Sequence, residues 1–158
     1  MNAFVYCDTS LCIGCGMCER RCIMSHEQLS IKEVTLDEPT QRQRCKSFRR
    51  EDVKGVLHCR HCENAPCMAA CPVGAIERRT WDEDEKGHGQ SGIIVNEDTC
   101  IGCKECVLAC PFGAVWIAPT KAQRMVATKC DLCVTTEEGT PACVSGCPKK
   151  ALRVVSLR

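Results

Sequence analysis

The run Cys100-Ile101-Gly102-Cys103-Lys104-Glu105-Cys106-Val107-Leu108-Ala109-Cys110-Pro111 constrains this chain more than any other stretch. Its cysteines fall at intervals of three, three and four residues and are closed by a proline, which is the bacterial iron–sulfur spacing. Three thiolates spaced two residues apart share one tight loop and can grip three irons of a [4Fe-4S] cube. Pro111 fixes the backbone as the chain leaves that loop, so the fourth thiolate, Cys110, is carried to a neighbouring cube. One such run implies another.

Three more runs are present. Cys12, Cys15, Cys18 and Cys22 repeat the spacing without the proline. Cys59, Cys62, Cys67 and Cys71 widen the middle gap and end in Pro72, and Cys130, Cys133, Cys143 and Cys147 carry an insertion before the third cysteine and end in Pro148. Sixteen cysteines in four quartets predict four [4Fe-4S] clusters.

Eighteen cysteines in 158 residues also raise the possibility of a disulfide scaffold,. The first residues, Met1-Asn2-Ala3-Phe4-Val5-Tyr6-Cys7-Asp8, carry neither a basic nor an apolar leader segment, so metal ligation outranks disulfides. Structural zinc draws its ligands from separated pairs rather than runs of four. No apolar stretch approaches the roughly 20 residues that span a bilayer, and there is no twin-arginine leader. The expectation is a soluble, cytoplasmic protein without direct membrane insertion.

Aromatic residues make up 4% of the chain, too few to anchor a large conventional core. The clusters must replace much of it, and the apoprotein is expected to be largely disordered. The formal charge of +1 counts the cysteines as neutral thiols. An oxidised cubane with four thiolates carries about −2, which brings the loaded protein to roughly −7 and disfavours nucleic acid as a partner.

Along the chain, Phe4-Val5-Tyr6 and Ile93-Ile94-Val95 each read as a strand leading through an aspartate into a cluster loop,. Cys71-Pro72-Val73-Gly74-Ala75, Cys110-Pro111-Phe112-Gly113-Ala114 and Cys147-Pro148-Lys149-Lys150-Ala151 form a second repeat. Proline suits a first helical turn, so the predicted unit is strand, cluster loop, short helix, strand. After Cys22 there is no proline, and the helix is expected to run on towards His26, read as a surface or capping residue rather than a cluster shield. Residues 27–58 read as polar and irregular. The cluster of Arg42, Arg44, Lys46, Arg49 and Arg50 is taken as a solvated face, with a docking surface for an acidic partner as the competing reading.

Residues 77–92, with Trp81, the acidic run Asp82 to Glu85 and His88, read as a hairpin or loop tip, and Trp116 to Lys129 as another hairpin,. No metal role is assigned to these carboxylates or to His88. Cys7 and Cys45 lie outside the quartets and read as small buried hydrophobes. His58 and His61 flank Cys59 and Cys62, where hydrogen bonding can tune a cluster.

Lys129-Cys130-Asp131-Leu132-Cys133, followed by Pro141-Ala142-Cys143 and Cys147-Pro148, resembles the fourth-cluster segment of the polyferredoxin electron-transfer subunits that accompany molybdenum- and tungsten-pterin oxidoreductases. Cys59-Arg60-His61-Cys62-Glu63-Asn64-Ala65-Pro66-Cys67 and Cys12-Ile13-Gly14-Cys15 resemble their second and first runs. Spacing alone is equally compatible with two tandem ferredoxins. The resemblance implies nesting: Cys12, Cys15 and Cys18 with Cys147; Cys130, Cys133 and Cys143 with Cys22; Cys59, Cys62 and Cys67 with Cys110; Cys100, Cys103 and Cys106 with Cys71.

The fold so implied is α+β, with two ferredoxin-like lobes, each holding two [4Fe-4S] clusters, nested in one domain. The outer lobe comprises 1–26 with 126–158, the inner lobe 56–117, and 27–55 is a connecting insertion. Because membrane-bound relatives often carry a C-terminal anchor helix and this sequence stops at Arg158 soon after its last strand, a quinone-reducing membrane role is not expected. There is no dinucleotide fingerprint, phosphate loop or nucleophile with a base partner, so no substrate site is expected. The resemblance implies a relay between a molybdenum- or tungsten-pterin subunit oxidising formate or an aldehyde and a hydrogenase or flavin/NAD subunit. A free-standing carrier, a structural module and self-stacking copies are the rival readings.

Overall fold

A computed structural model describes residues 2–81, 89–136 and 140–157. The β-branched and aromatic residues between Asn2 and Cys7 form β1, and Leu152–Leu157 form β8. These two strands pair antiparallel in register from Asn2 with Leu157 to Cys7 with Leu152. The hairpin of β4 (Ile76–Trp81) and β5 (Gln90–Val95) completes the sheet, because β5 lies parallel to β1, giving the order β4-β5-β1-β8. The tip of that hairpin, with Asp82 to Glu85 and His88, lies outside the described residues.

Two further hairpins stand apart from the sheet. The one formed by β6 (Trp116–Pro119) and β7 (Met125–Thr128) agrees with the sequence reading. The other, β2 (Lys46–Arg50) with β3 (Val53–Leu57), corrects it, since this stretch was expected to be irregular. β2 is mostly exposed and rich in charge, and β3 is mostly half-buried, so the in-out alternation that marks a half-buried strand is faint.

The helices are short except for α1 (Met17–Glu27), which runs on past Cys22 as the missing proline predicts. The others are α2 (Pro66–Ala69), α3 (Glu105–Ala109) and α4 (Ala142–Ser145). Each carries the third cysteine of its run. The expected helix after the Cys-Pro pair is therefore corrected: the helix comes before the fourth cysteine, and a turn follows it. Helix α1 packs on α4, and α2 on α3.

The core is built from small side chains and sulfur. Ala3, Val5, Ala114, Leu132 and Leu152 pack with Cys18, Cys22, Cys45, Cys59, Cys130 and Cys143. A second group, Ala65, Ile76, Ile93, Val115 and Ala127, packs with Cys67 and Cys106. Cys110 touches both.

Candidate iron–sulfur centres

Each cluster loop repeats one backbone device. The residue before the second cysteine has left-handed φ in all four runs: Gly14 at 65°, His61 at 47°, Gly102 at 67° and Leu132 at 61°. This bend lets consecutive cysteines face one interior. Glycine takes it freely, whereas His61 and Leu132 hold a conformation costing on the order of 1–2 kcal/mol. Both are buried, and the His61 ring is fixed by the Ile93 N–H, which donates to Nδ1 at 2.9 Å.

The fourth cysteines sit on turns that explain the second sequence repeat. The N–H groups of Gly74, Gly113 and Lys150 donate to the carbonyls of Cys71, Cys110 and Cys147 at 3.4, 3.3 and 3.1 Å. All three donors have positive φ, and proline fits the second position of such a turn,. The chain then swings the next N–H onto the sulfur. Ala75 donates to Cys71 Sγ at 3.2 Å, Ala114 to Cys110 Sγ at 3.4 Å and Ala151 to Cys147 Sγ at 3.3 Å. A side chain larger than alanine would crowd this approach.

Three cavities gather the predicted residues. Cys12, Cys15, Cys18 and Cys147 line one; Cys59, Cys62, Cys67 and Cys110 line a second; Cys71, Cys100, Cys103 and Cys106 line a third. The remaining four, Cys22, Cys130, Cys133 and Cys143, are all buried. Burial pushes the Cys143 thiol far up, and the neighbouring Cys130, Cys22 and Cys133 push it further, so each of these sulfurs lies within electrostatic reach of Cys143. Clustered soft thiolates supplied with backbone N–H donors match what [4Fe-4S] cubes require.

Cys22 lacks the Cys-Pro turn, and its sulfur is served from elsewhere. The Arg44 N–H donates to Cys22 Sγ at 3.1 Å, and His26 Nδ1 lies 3.8 Å from it. Cys45 contributes the largest effect on the Cys22 thiol, holding it down to about 5 against burial, with His26 and Arg44 adding to the same end. The surface reading of His26 is corrected. Its ring is buried, and Nε2 meets Asp131 at 3.0 Å. Burial alone would lower His26, but the Asp131 and Cys22 contacts outweigh it and raise the imidazole to about 10.

Arg44 also pairs with Asp131 at 3.0 Å, and Arg42 pairs with Glu97 at 2.9 Å. These two arginines of the basic cluster are structural and face inward. His58 Nε2 lies 3.6 Å from Cys143 Sγ, with burial holding the imidazole down to about 4. Cys45 is buried, as expected, whereas Cys7 is only half-buried against the same core.

Sequence reasoning missed Lys129. It is 1% exposed, its Nζ donates to the carbonyls of Ile93 and Cys130, and among the described residues it pairs with no carboxylate. The signal was a lysine directly before Cys130 at the end of a β-prone segment.

The fold and its sulfur quartets define an iron–sulfur protein of ferredoxin type. Residues 56–157 match the family described as 4Fe-4S dicluster domain, and residues 9–24 match a 4Fe-4S binding domain. The chain belongs to the 4Fe-4S dicluster family, and it holds [4Fe-4S] clusters.

Among its Escherichia coli K12 relatives are the electron transport proteins YsaA and HydN. YsaA is 41% identical, with 99% of this chain and 92% of YsaA covered, and HydN is 38% identical, with 96% and 87% covered. Formate hydrogenlyase subunit 2 is 34% identical, with 98% and 82% covered. The chain spans only about a fifth of two further relatives, the oxidoreductases AegA and UacF. Among the described residues no helix is long and apolar enough to cross a membrane.

Proposed function

We propose that this electron-transport protein relays single electrons through four [4Fe-4S] clusters in a nested arrangement. Cys12, Cys15, Cys18 and Cys147 would hold one cluster and Cys130, Cys133, Cys143 and Cys22 the next. Cys59, Cys62, Cys67 and Cys110 would hold a third, and Cys100, Cys103, Cys106 and Cys71 the fourth. The observation that carries this reading is that Cys147, Cys110 and Cys71 each line a cavity belonging to a different run. Pairing of β1 with β8 supports an outer lobe of 1–26 with 126–158 around an inner lobe of 56–117.

When bound, each cluster supplies a one-electron redox couple whose potential follows charge, sulfur hydrogen bonds and burial. In this reading the four centres would form a line. Cys15 and Cys103 are exposed at its two ends, whereas Cys130, Cys133, Cys143 and Cys22 are buried between. Cys59 packs in the same core as Cys130, and Cys67 in the same core as Cys106, which orders the inner steps. Alanine N–H groups stabilise the anionic sulfurs, and the surrounding small apolar side chains exclude water.

The partner reading is a molybdenum- or tungsten-pterin subunit at one end and a hydrogenase or flavin/NAD subunit at the other, in the reducing cytoplasm. It rests on the family and on the names of HydN and formate hydrogenlyase subunit 2. Anaerobic purification from the native source, with mass spectrometry and metal analysis of co-eluting proteins, tests it. About 16 irons per chain with a stable molybdenum or tungsten partner is the expected result. The same iron without a partner would make it a free carrier.

The pairing has its own test. Cys147→Ser should alter the spectroscopic signature of the cluster held by Cys12, Cys15 and Cys18. An effect limited to the cluster of Cys100, Cys103 and Cys106 would establish tandem lobes instead.

A further inference from the structure

The two exposed ends of the cysteine line are rimmed differently. Around the cavity of Cys12, Cys15, Cys18 and Cys147, four cations stand beside the exposed Leu11 and Ile13. Arg49, exposed on β2, stands against the Gly14 loop, where a β-carbon would sit 3.0 Å from its own Cβ. Arg21, exposed on α1, lies over Gly146, the residue before Cys147. Lys149 lines the cavity itself, and Lys150 follows it, also exposed.

Among the described residues none of these four cations forms an ion pair. The carboxylates of this region are otherwise engaged or peripheral. Glu19 accepts the Ser47 N–H, Asp8 is bonded to Ser10, and Glu51 and Asp52 occupy the β2–β3 turn. The opposite end is less cationic: Lys104 lines its cavity and Arg124 is tied to the carbonyls of Glu97, Asp98 and Cys100, beside Ile101 and Met125, 63% and 51% exposed.

A rim of unpaired cations around an exposed redox centre is a steering field for an anionic surface. It stands out because the loaded chain is anionic as a whole. Resting on the relay reading above, we infer that the Cys12–Cys147 end is the docking face for an acidic redox protein. Electrons cross there between that partner and the cluster held by Cys12, Cys15, Cys18 and Cys147. Arg21, Arg49, Lys149 and Lys150 orient the encounter. One electron leaves the donor's centre and enters the acceptor's, with no bond made or broken.

The test uses voltammetry of the anaerobically purified, cluster-loaded protein on gold coated with carboxylate-, methyl- or amine-terminated alkanethiols. The carboxylate film stands in for the acidic partner. Wild-type protein should exchange electrons at least tenfold faster on carboxylate than on amine films. That advantage should vanish as the Debye length falls from about 10 Å at 0.1 M salt to about 3 Å at 1 M.

Arg49→Glu with Lys150→Glu should lose the carboxylate signal and keep the one on methyl films, with Arg49→Gln and Lys150→Gln intermediate. Iron content and absorption spectra report whether each variant is still loaded. Equal wild-type rates on carboxylate and amine films, or an unchanged rate in the loaded charge-reversed variant, would overturn the docking inference. Failure of the relay reading shows up separately, as clusters that neither dithionite nor any film can reduce.

Discussion

Lys129→Met is expected to lower the midpoint potential of the cluster proposed at Cys59, Cys62, Cys67 and Cys110, while Lys129→Arg largely preserves it. Lys129 is buried, its Nζ anchored to the carbonyls of Ile93 and Cys130, and its charge acts on Cys62 and Cys67. An added electron brings negative charge, so a nearby fixed cation favours the reduced state. Two unit charges about 10 Å apart at an effective dielectric of about 20 interact by on the order of 1–2 kcal/mol. For a one-electron couple, ~59 mV corresponds to a tenfold change in the reduced fraction.

Methionine also leaves two buried carbonyls without their donor, at a cost of about 1–3 kcal/mol each, so iron retention should fall as well. Potentiometric titration followed by electron paramagnetic resonance provides the check. A fully loaded Lys129→Met protein with unchanged potentials would show that the lysine serves only as a strut. The same chemistry explains why this side chain is tolerated at all. A buried lysine without a carboxylate is costly in an apoprotein, and the anionic clusters supply its counter-charge.

Gly102→Ala is expected to be the most damaging of the small substitutions, losing about 3 kcal/mol or more through steric overlap and backbone strain. Gly102 has φ of 67°, and a β-carbon there would run into the Met125 carbonyl oxygen on β7. Gly113 is the control. Its φ of 60° is similar, but nothing lies within 4 Å of the added carbon, so Gly113→Ala should cost only about 1–2 kcal/mol of left-handed strain,.

Cluster loss breaks two-state behaviour, so the comparison is best made as the temperature at which the visible absorbance bleaches under anaerobic conditions. Similar losses in the two variants would mean that the contact between the Cys100–Cys103 loop and β7 is soft.

The cysteine frame was readable because ligand spacing is a local, rigid constraint, and the strands leading into Cys12 and Cys100 were readable because short runs of aromatic and β-branched residues precede a turn. The position of the short helices was not. Helices α2, α3 and α4 have four or five residues, too few for a 3.6-residue period to show. The prolines that matter to two of them are Pro66, in the first turn of α2, and Pro141, capping α4. Pro72, Pro111 and Pro148 direct turns instead.

Arg42 and Arg44 looked like a solvated cluster because their partners, Glu97 and Asp131, lie 55 and 87 residues away in the chain. His26 was misjudged for the same reason, since Asp131 is 105 residues distant. Only the fold brings these charges together.

The antiparallel match of Asn2 with Leu157 through Cys7 with Leu152 has a consequence for biogenesis. While the ribosome is still making the chain, β1 has no antiparallel neighbour, and the sulfur of Cys147 with its Ala151 N–H does not yet exist. The β4–β5 hairpin and the four cysteines of the Cys59 cavity are complete much earlier. Local contacts form before distant ones, so iron delivery should reach the middle of the protein first. A chain released before β8 would carry an open sheet edge and a half-built metal centre, a natural target for proteolysis.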